Sequence, residues 1–206
     1  MFIKEFNMTR CKKIIAVLLI ISILSVFLVS CKKEEKLEDV YYVSIAVKDY
    51  GTIVLKLDTL AAPKTVANFI KLVKEGFYNG LTFHRVMSNF MIQGGDPNGD
   101  GSGSSKDKIY GEFASNGYNN PISHVRGVIS MARSKDPNSA SCQFFITNAD
   151  STHLDGNYAA FGYVIEGMDV VDEITRATVQ YTDSSSGTIL IKSKQPVITE
   201  IKILGR

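Results

Sequence analysis

The chain opens on one apolar block and then changes to short alternations. Residues 14–29 form a 16-residue apolar run interrupted by Ser22 and Ser25, and Lys4, Arg10, Lys12 and Lys13 precede it. Residues 32–39, KKEEKLED, are charged and have no apolar period. Beyond them Val43, Ile45 and Val47 alternate with smaller or polar neighbours, and Ile53, Leu55 and Leu57 do the same after Asp49-Tyr50-Gly51. Two period-two runs about a glycine-bearing turn predict a β-hairpin with one buried face. Pro63 opens a helix that carries Val66, Phe69, Ile70 and Val73 on one side and is closed by Gly76. Short β-rich runs follow at 82–87, 90–93, 127–132, 143–147 and 161–165, then a helix at 168–175 and a last strand at 197–204. The stretch 181–187, YTDSSSG, reads as a polar loop. Many strands, frequent turn signals and two isolated helices predict a mainly β fold closed into a barrel, not βαβ units.

A chain of 206 residues suits one domain with appendages. The net charge of +2, from 23 basic and 21 acidic residues, argues against a nucleic-acid binder held by a strong basic field. The basic segment followed by an apolar run has the layout of a secretory signal, with its basic side in the cytoplasm. Its end, Leu28-Val29-Ser30-Cys31, resembles the lipobox of bacterial lipoproteins. That resemblance implies cleavage before Cys31 and acylation of its sulfur and its new amine. The chain then divides into a signal peptide at 1–30, a lipidated Cys31 with a charged tether at 31–39, and a domain at 40–206. Several acyl chains, at ~0.8 kcal/mol per buried CH₂, hold such a protein on a membrane. The expected location is the cell envelope, on the extracytoplasmic side of a bacterial membrane; an uncleaved anchor puts the domain on the same side. Without residues 1–30 the chain keeps 19 basic and 20 acidic residues, and its size allows a core without disulfides or metal. Cys11 leaves with the signal and Cys31 carries lipid, so Cys142 has no disulfide partner and reads as a small core residue.

The sequence has no nucleophile elbow, P-loop, HExxH or CxxC pair, and His84, His124 and His153 lack metal-ligand spacing. Four ordered blocks stand out instead: Phe83-His84-Arg85-Val86-Met87 with Phe90-Met91-Ile92-Gln93-Gly94-Gly95-Asp96; residues 127–132, GVISMA; residues 143–147, QFFIT; and residues 154–162, LDGNYAAFG. In order and spacing these resemble the cyclophilin family of peptidyl-prolyl isomerases, over about 42–204. The resemblance implies a closed antiparallel barrel of eight strands with a helix capping each end. It also implies an enzyme, a peptidyl-prolyl cis-trans isomerase acting on proline-containing polypeptides with no cofactor; a monomer with no metal and no nucleic-acid partner is expected.

The residue types suit that chemistry. Rotation about X–Pro crosses a barrier of ~18–20 kcal/mol set by amide resonance. An isomerase needs a slot for the proline ring, a grip on the flanking backbone, and a donor that favours the twisted amide. Strand alternation puts Met91 and Gln93 on one face, and Gln143 and Phe145 likewise, while Phe144 and Cys142 point inward. By resemblance, Phe90, Met91, Phe145 and Leu154 form the proline pocket, and Arg85 is the catalytic residue. Gln93 bonds the substrate backbone, Gln143 supports the site, and Ala132 and Arg133 border it. His153 stands where well-known members carry Trp, Tyr158 where many carry His, and Arg133 where Asn is frequent; a cationic rim at Arg133 shifts substrate preference. His84 and His124 read as packing or hydrogen-bonding residues. Residues 96–107 have the acidic skeleton of a calcium loop but lack the closing Glu and flanking helices, and read as a loop. From another functional class, a proline-binding chaperone or adhesin module would hold such segments without needing to turn them over.

Overall fold

The computed structural model describes residues 38–205. The expected signal peptide, Cys31 and most of the tether therefore lie outside the described residues.

Among the described residues, eight strands and two α-helices follow in the order β1 (Val40–Val47), β2 (Gly51–Asp58), α1 (Pro63–Lys74), β3 (Thr82–Met87), β4 (Met91–Asp96), β5 (Val128–Met131), β6 (Phe144–Thr147), β7 (Ala160–Glu166), α2 (Met168–Thr178) and β8 (Ile198–Leu204). All strand pairs are antiparallel, in one sheet of order β3-β4-β6-β5-β7-β2-β1-β8. The hairpin has the register its alternation requires, with Val43 opposite Leu55 and Ile45 opposite Ile53. The sheet curls until its end strands approach. Among the described residues they meet at the single bridge Thr82–Val197, flanked by Phe83 N–H to the Pro196 carbonyl and Ile198 N–H to the Leu81 carbonyl. A curled antiparallel sheet is thus the observed form of the expected barrel, joined at that point by a bridge and not by a ladder.

The concave side is filled by one aromatic cluster. Phe69 of α1 lies 5.1, 5.6 and 5.3 Å, centroid to centroid, from Tyr78, Phe144 and Phe161. Helix α1 buries Val66, Phe69, Ile70 and Val73, the face its spacing predicts. Its first-turn amides are capped from a distance: the buried Glu112 carboxylate accepts from the Lys64 and Thr65 amides at 2.9 and 2.8 Å and from the Thr65 hydroxyl at 2.7 Å. Cys142 is a buried free thiol of the same core. Gly95 has φ +81°, and a Cβ there would lie 2.7 Å from the Cys142 carbonyl, so the β4 end packs against the chain entering β6 only through glycine.

Strand β3 departs from strict alternation. The register shifts between Phe83 and Arg85, so Phe83 and His84 are both buried and Arg85 faces outward. Several boundaries move by a few residues from expectation. Phe90 and Gln143 precede their strands, and α2 runs on to Thr178.

Candidate active site

Arg85, Gln93, Phe145 and Ser130 form a row of cross-strand neighbours on β3, β4, β6 and β5. The outward face of that row carries a second apolar cluster, separate from the main core: Met91, Phe145 and Leu154 are buried, with Met87, Phe90, Ala132 and Tyr158 packed against them. Between these groups is a cleft of about 110 Å³, lined by Arg85, Phe90, Met91, Gln93, Ala132, Arg133, Phe145, Leu154 and Tyr158. All nine were expected from the sequence. Gln143 lies next to it behind Gln93, and the exposed His153 stands at the rim, its ring 5.5 Å from that of Phe90.

Arg85 is half-buried and held from four directions. Its Nε donates to the Ser186 carbonyl at 2.6 Å, and Nη1 donates to Gln93 Oε1 at 3.1 Å. The remaining contacts are to thioether sulfurs, Nη1 to Met91 at 3.9 Å and Nη2 to Met87 at 3.1 Å. Its carbon lies 5.9 Å from the centre of the Phe90 ring. Sulfur is a weak acceptor, so the guanidinium is fixed in direction while part of its donor capacity stays available to a ligand. Burial pushes the Arg85 pKa down from its usual value, and the group remains charged at neutral pH.

The two glutamines extend this network in one sense. Gln93 Nε2 donates to Gln143 Oε1 at 2.8 Å, and Gln143 Nε2 donates to the carbonyls of Gly101 and Gly103 at 3.1 and 2.8 Å. A guanidinium only donates and a carbonyl only accepts, so both amide orientations follow from the ends of the chain. The floor is braced from below. The buried His124 ring stacks on Phe145 at 6.0 Å and 16°. Its Nδ1 is 2.8 Å from Asp155 Oδ1 and its Nε2 is 3.0 Å from Ser130 Oγ. Burial lowers the His124 pKa more than Asp155 raises it, which keeps the ring neutral. Tyr158 meets Phe145 edge-on at 5.9 Å and carries the Arg133 guanidinium over its own face at 4.7 Å.

Three parts of this arrangement have no signal in the motif blocks. One is the Ser186 carbonyl, held by a turn in which the Asp183 carboxylate accepts from the Ser185 hydroxyl and the Ser186 amide. That hydroxyl, above all, holds the Asp183 pKa down to about 2. Another is the His124 brace. The third is Asn148, whose Nδ2 donates to the Met87 carbonyl and whose amide donates to the Phe90 carbonyl, tying down the β3–β4 turn. In the acidic loop, buried Asp96 accepts the amides of Asn98, Asp100 and Gly101, and Asp107 pairs with Lys71 at 2.7 Å. Those carboxylates are engaged by the protein itself, and among the described residues no three acidic, His or Cys groups cluster to hold a metal.

Known proteins resemble this chain in sequence and in fold. The family model for cyclophilin type peptidyl-prolyl cis-trans isomerases matches residues 42–195. The chain belongs to the cyclophilin-type peptidyl-prolyl cis-trans isomerases. A peptidyl-prolyl cis-trans isomerase of Helicobacter pylori is 43% identical over 149 residues, which cover 71% of this chain and 88% of the relative. Peptidyl-prolyl cis-trans isomerase A of Dickeya dadantii is 41% identical over 161 residues, covering 76% of this cyclophilin and 81% of that protein. The crystal structure of a cyclophilin type isomerase of Cryptosporidium parvum superposes with a TM-score of 0.70 at 29% identity, over 81% of this chain and 99% of the other.

Proposed function

We propose that this cyclophilin turns X–Pro bonds of exported or surface polypeptides, working from a lipid anchor at Cys31 on the outer side of a bacterial membrane. The observation that carries the catalytic reading is the Arg85 guanidinium, fixed by Ser186 and Gln93 beside an apolar cleft of about 110 Å³. In this reading the proline ring enters between Phe90, Met91, Phe145 and Leu154, with Tyr158 closing one side and His153 the rim. Gln93, backed by Gln143, grips the substrate backbone, and Ala132 and Arg133 border the peptide. Rotation breaks amide resonance and returns a lone pair to the prolyl nitrogen. Arg85 donates to that nitrogen, or to a carbonyl oxygen in the twisted amide, more strongly than to the planar ground state. No covalent bond to the substrate forms or breaks. A selective gain of ~7 kcal/mol accelerates the rotation ~10⁵-fold.

The test is refolding of an exported protein whose slow phase is proline-limited, ~10–100 s without catalyst. Catalytic amounts of the chain are expected to shorten that phase in proportion to enzyme concentration. Binding to the unfolded protein without acceleration would favour a chaperone module and overturn the enzyme reading. For the anchor, Cys31→Ser is expected to leave the precursor unprocessed and unlabelled by radioactive palmitate. Normal processing and labelling of that variant would contradict it.

A further inference from the structure

A second recess of about 290 Å³ adjoins the proline cleft. Gln93, Ala132 and Arg133 line both, so the two are continuous. The walls of the second are unlike those of the first. They consist of serines, glycines of the 101–104 loop, the Gln143 amide and two cations, Lys108 and Arg133, and no carboxylate lines them. Lys108 is exposed and makes no ion pair among the described residues. Arg133 donates through Nε to the Asn157 carbonyl and through Nη1 to the Ser134 carbonyl, both at 2.9 Å, and Nη2 has no acceptor among the described residues. Its guanidinium lies over the rings of Tyr158 and Phe113 at 4.7 and 5.1 Å, so its position is fixed while its charge meets no anion. Three acidic residues are close by in sequence, and none of them lines the recess. Asp107 pairs with Lys71, Asp100 accepts from Ser102, and Asp136 accepts from the Asn138 amide.

We propose that this recess is a subsite for a carboxylate side chain, so that the enzyme prefers X–Pro segments carrying Asp or Glu two or three residues from the proline. The proposal rests on the isomerase reading above. An extended peptide advances ~3.3 Å per residue and returns to the same face every second residue. A chain with its proline in the cleft therefore lays a side chain two or three positions away over the recess. An apolar side chain there would strip water from hydroxyl and amide groups without replacing its hydrogen bonds. A lysine would meet two like charges. A carboxylate accepts from Lys108 and from the open Nη2 of Arg133.

The test uses the full-length chain and matched peptides with one proline, placing Glu, Gln or Lys two or three residues to either side. At one of these positions kcat/KM is expected to run Glu above Gln above Lys. The Glu advantage over Gln should be about threefold to tenfold for two partly exposed ion pairs. It should shrink when ionic strength is raised to about 0.5 M. Lys108→Ser should lower the Glu-to-Gln ratio towards one, and Lys108→Glu should lower it further and narrow the gap between the Glu and Lys peptides. Equal kcat/KM for the three peptides at every position, or a ratio unmoved by Lys108→Ser, would overturn the subsite while turnover of the Gln peptide keeps the isomerase reading. No turnover of any peptide would overturn the isomerase reading itself.

Discussion

At the scale of single residues, the cleft works by holding polar groups with unequal partners. Arg85 has two firm oxygen acceptors and two weak sulfur ones, so its direction is set by the former and its reach to substrate is left by the latter. His124 and His84 are the two buried imidazoles nearby, and burial lowers the pKa of both. His84 has no hydrogen-bond partner for either ring nitrogen among the described residues. A histidine whose folded pKa lies below its unfolded value of ~6.5 takes up protons more readily when unfolded. Its contribution is intact above that pH and is lost as pH falls below it. The melting temperature is therefore expected to fall between about pH 7 and 5.5, and His84→Leu should make the fall shallower; a scan that stays flat would contradict the neutral, buried state of both rings. Most of the site was legible at this scale because it rests on side chains inside contiguous blocks, from Phe83 to Asp96 and from Gln143 to Thr147. Ser186 was not legible. It acts through a backbone carbonyl, from a polar loop 101 positions beyond Arg85, and any residue supplies a carbonyl.

Among the elements, α1 is held at its start by a residue that local sequence does not suggest. Ala62 at its N-cap has no side-chain acceptor, and Glu112 fills that role for Lys64 and Thr65. A carboxylate at a helix N-terminus both accepts the open amides and opposes the helix dipole. Glu112→Ala is expected to destabilise the domain by about 2–3 kcal/mol in urea unfolding, because buried donors lose a charged acceptor. A change below about 0.5 kcal/mol would show the helix start to be capped otherwise. The apolar face of α1 and the β1–β2 register followed directly from period 3.6 and period 2. The β3 bulge did not. Alternation alone does not bury both Phe83 and His84, and the bulge between Phe83 and Arg85 is a property of the pairing with β4. It is also what turns Arg85 outward, so the side chain proposed to act on the substrate sits where the simple pattern fails.

For the whole molecule, the site is built on the outer face of a sheet whose other face is the core. Phe144 and Ile146 belong to the main core, while Met91 and Phe145 belong to the cleft. Adjacent residues of one strand, Phe144 and Phe145, thus face the core and the cleft respectively. Strand number, the two helices and the mainly β class were legible from turn spacing and from family likeness. Strand order and the manner in which the sheet ends meet depend on long-range pairing, which no local pattern encodes. By the same separation, removal of Arg85, the proposed catalytic group, is expected to leave the fold intact. The most direct test is kcat/KM for cis-to-trans exchange in a proline peptide, comparing the wild-type chain with Arg85→Ala at equal circular dichroism and melting temperature. A loss of about 100-fold or more is expected for deletion of the donor to the twisted amide. Activity within about twofold of wild type would contradict the assignment of Arg85 and, with it, the account of how this cleft lowers the barrier.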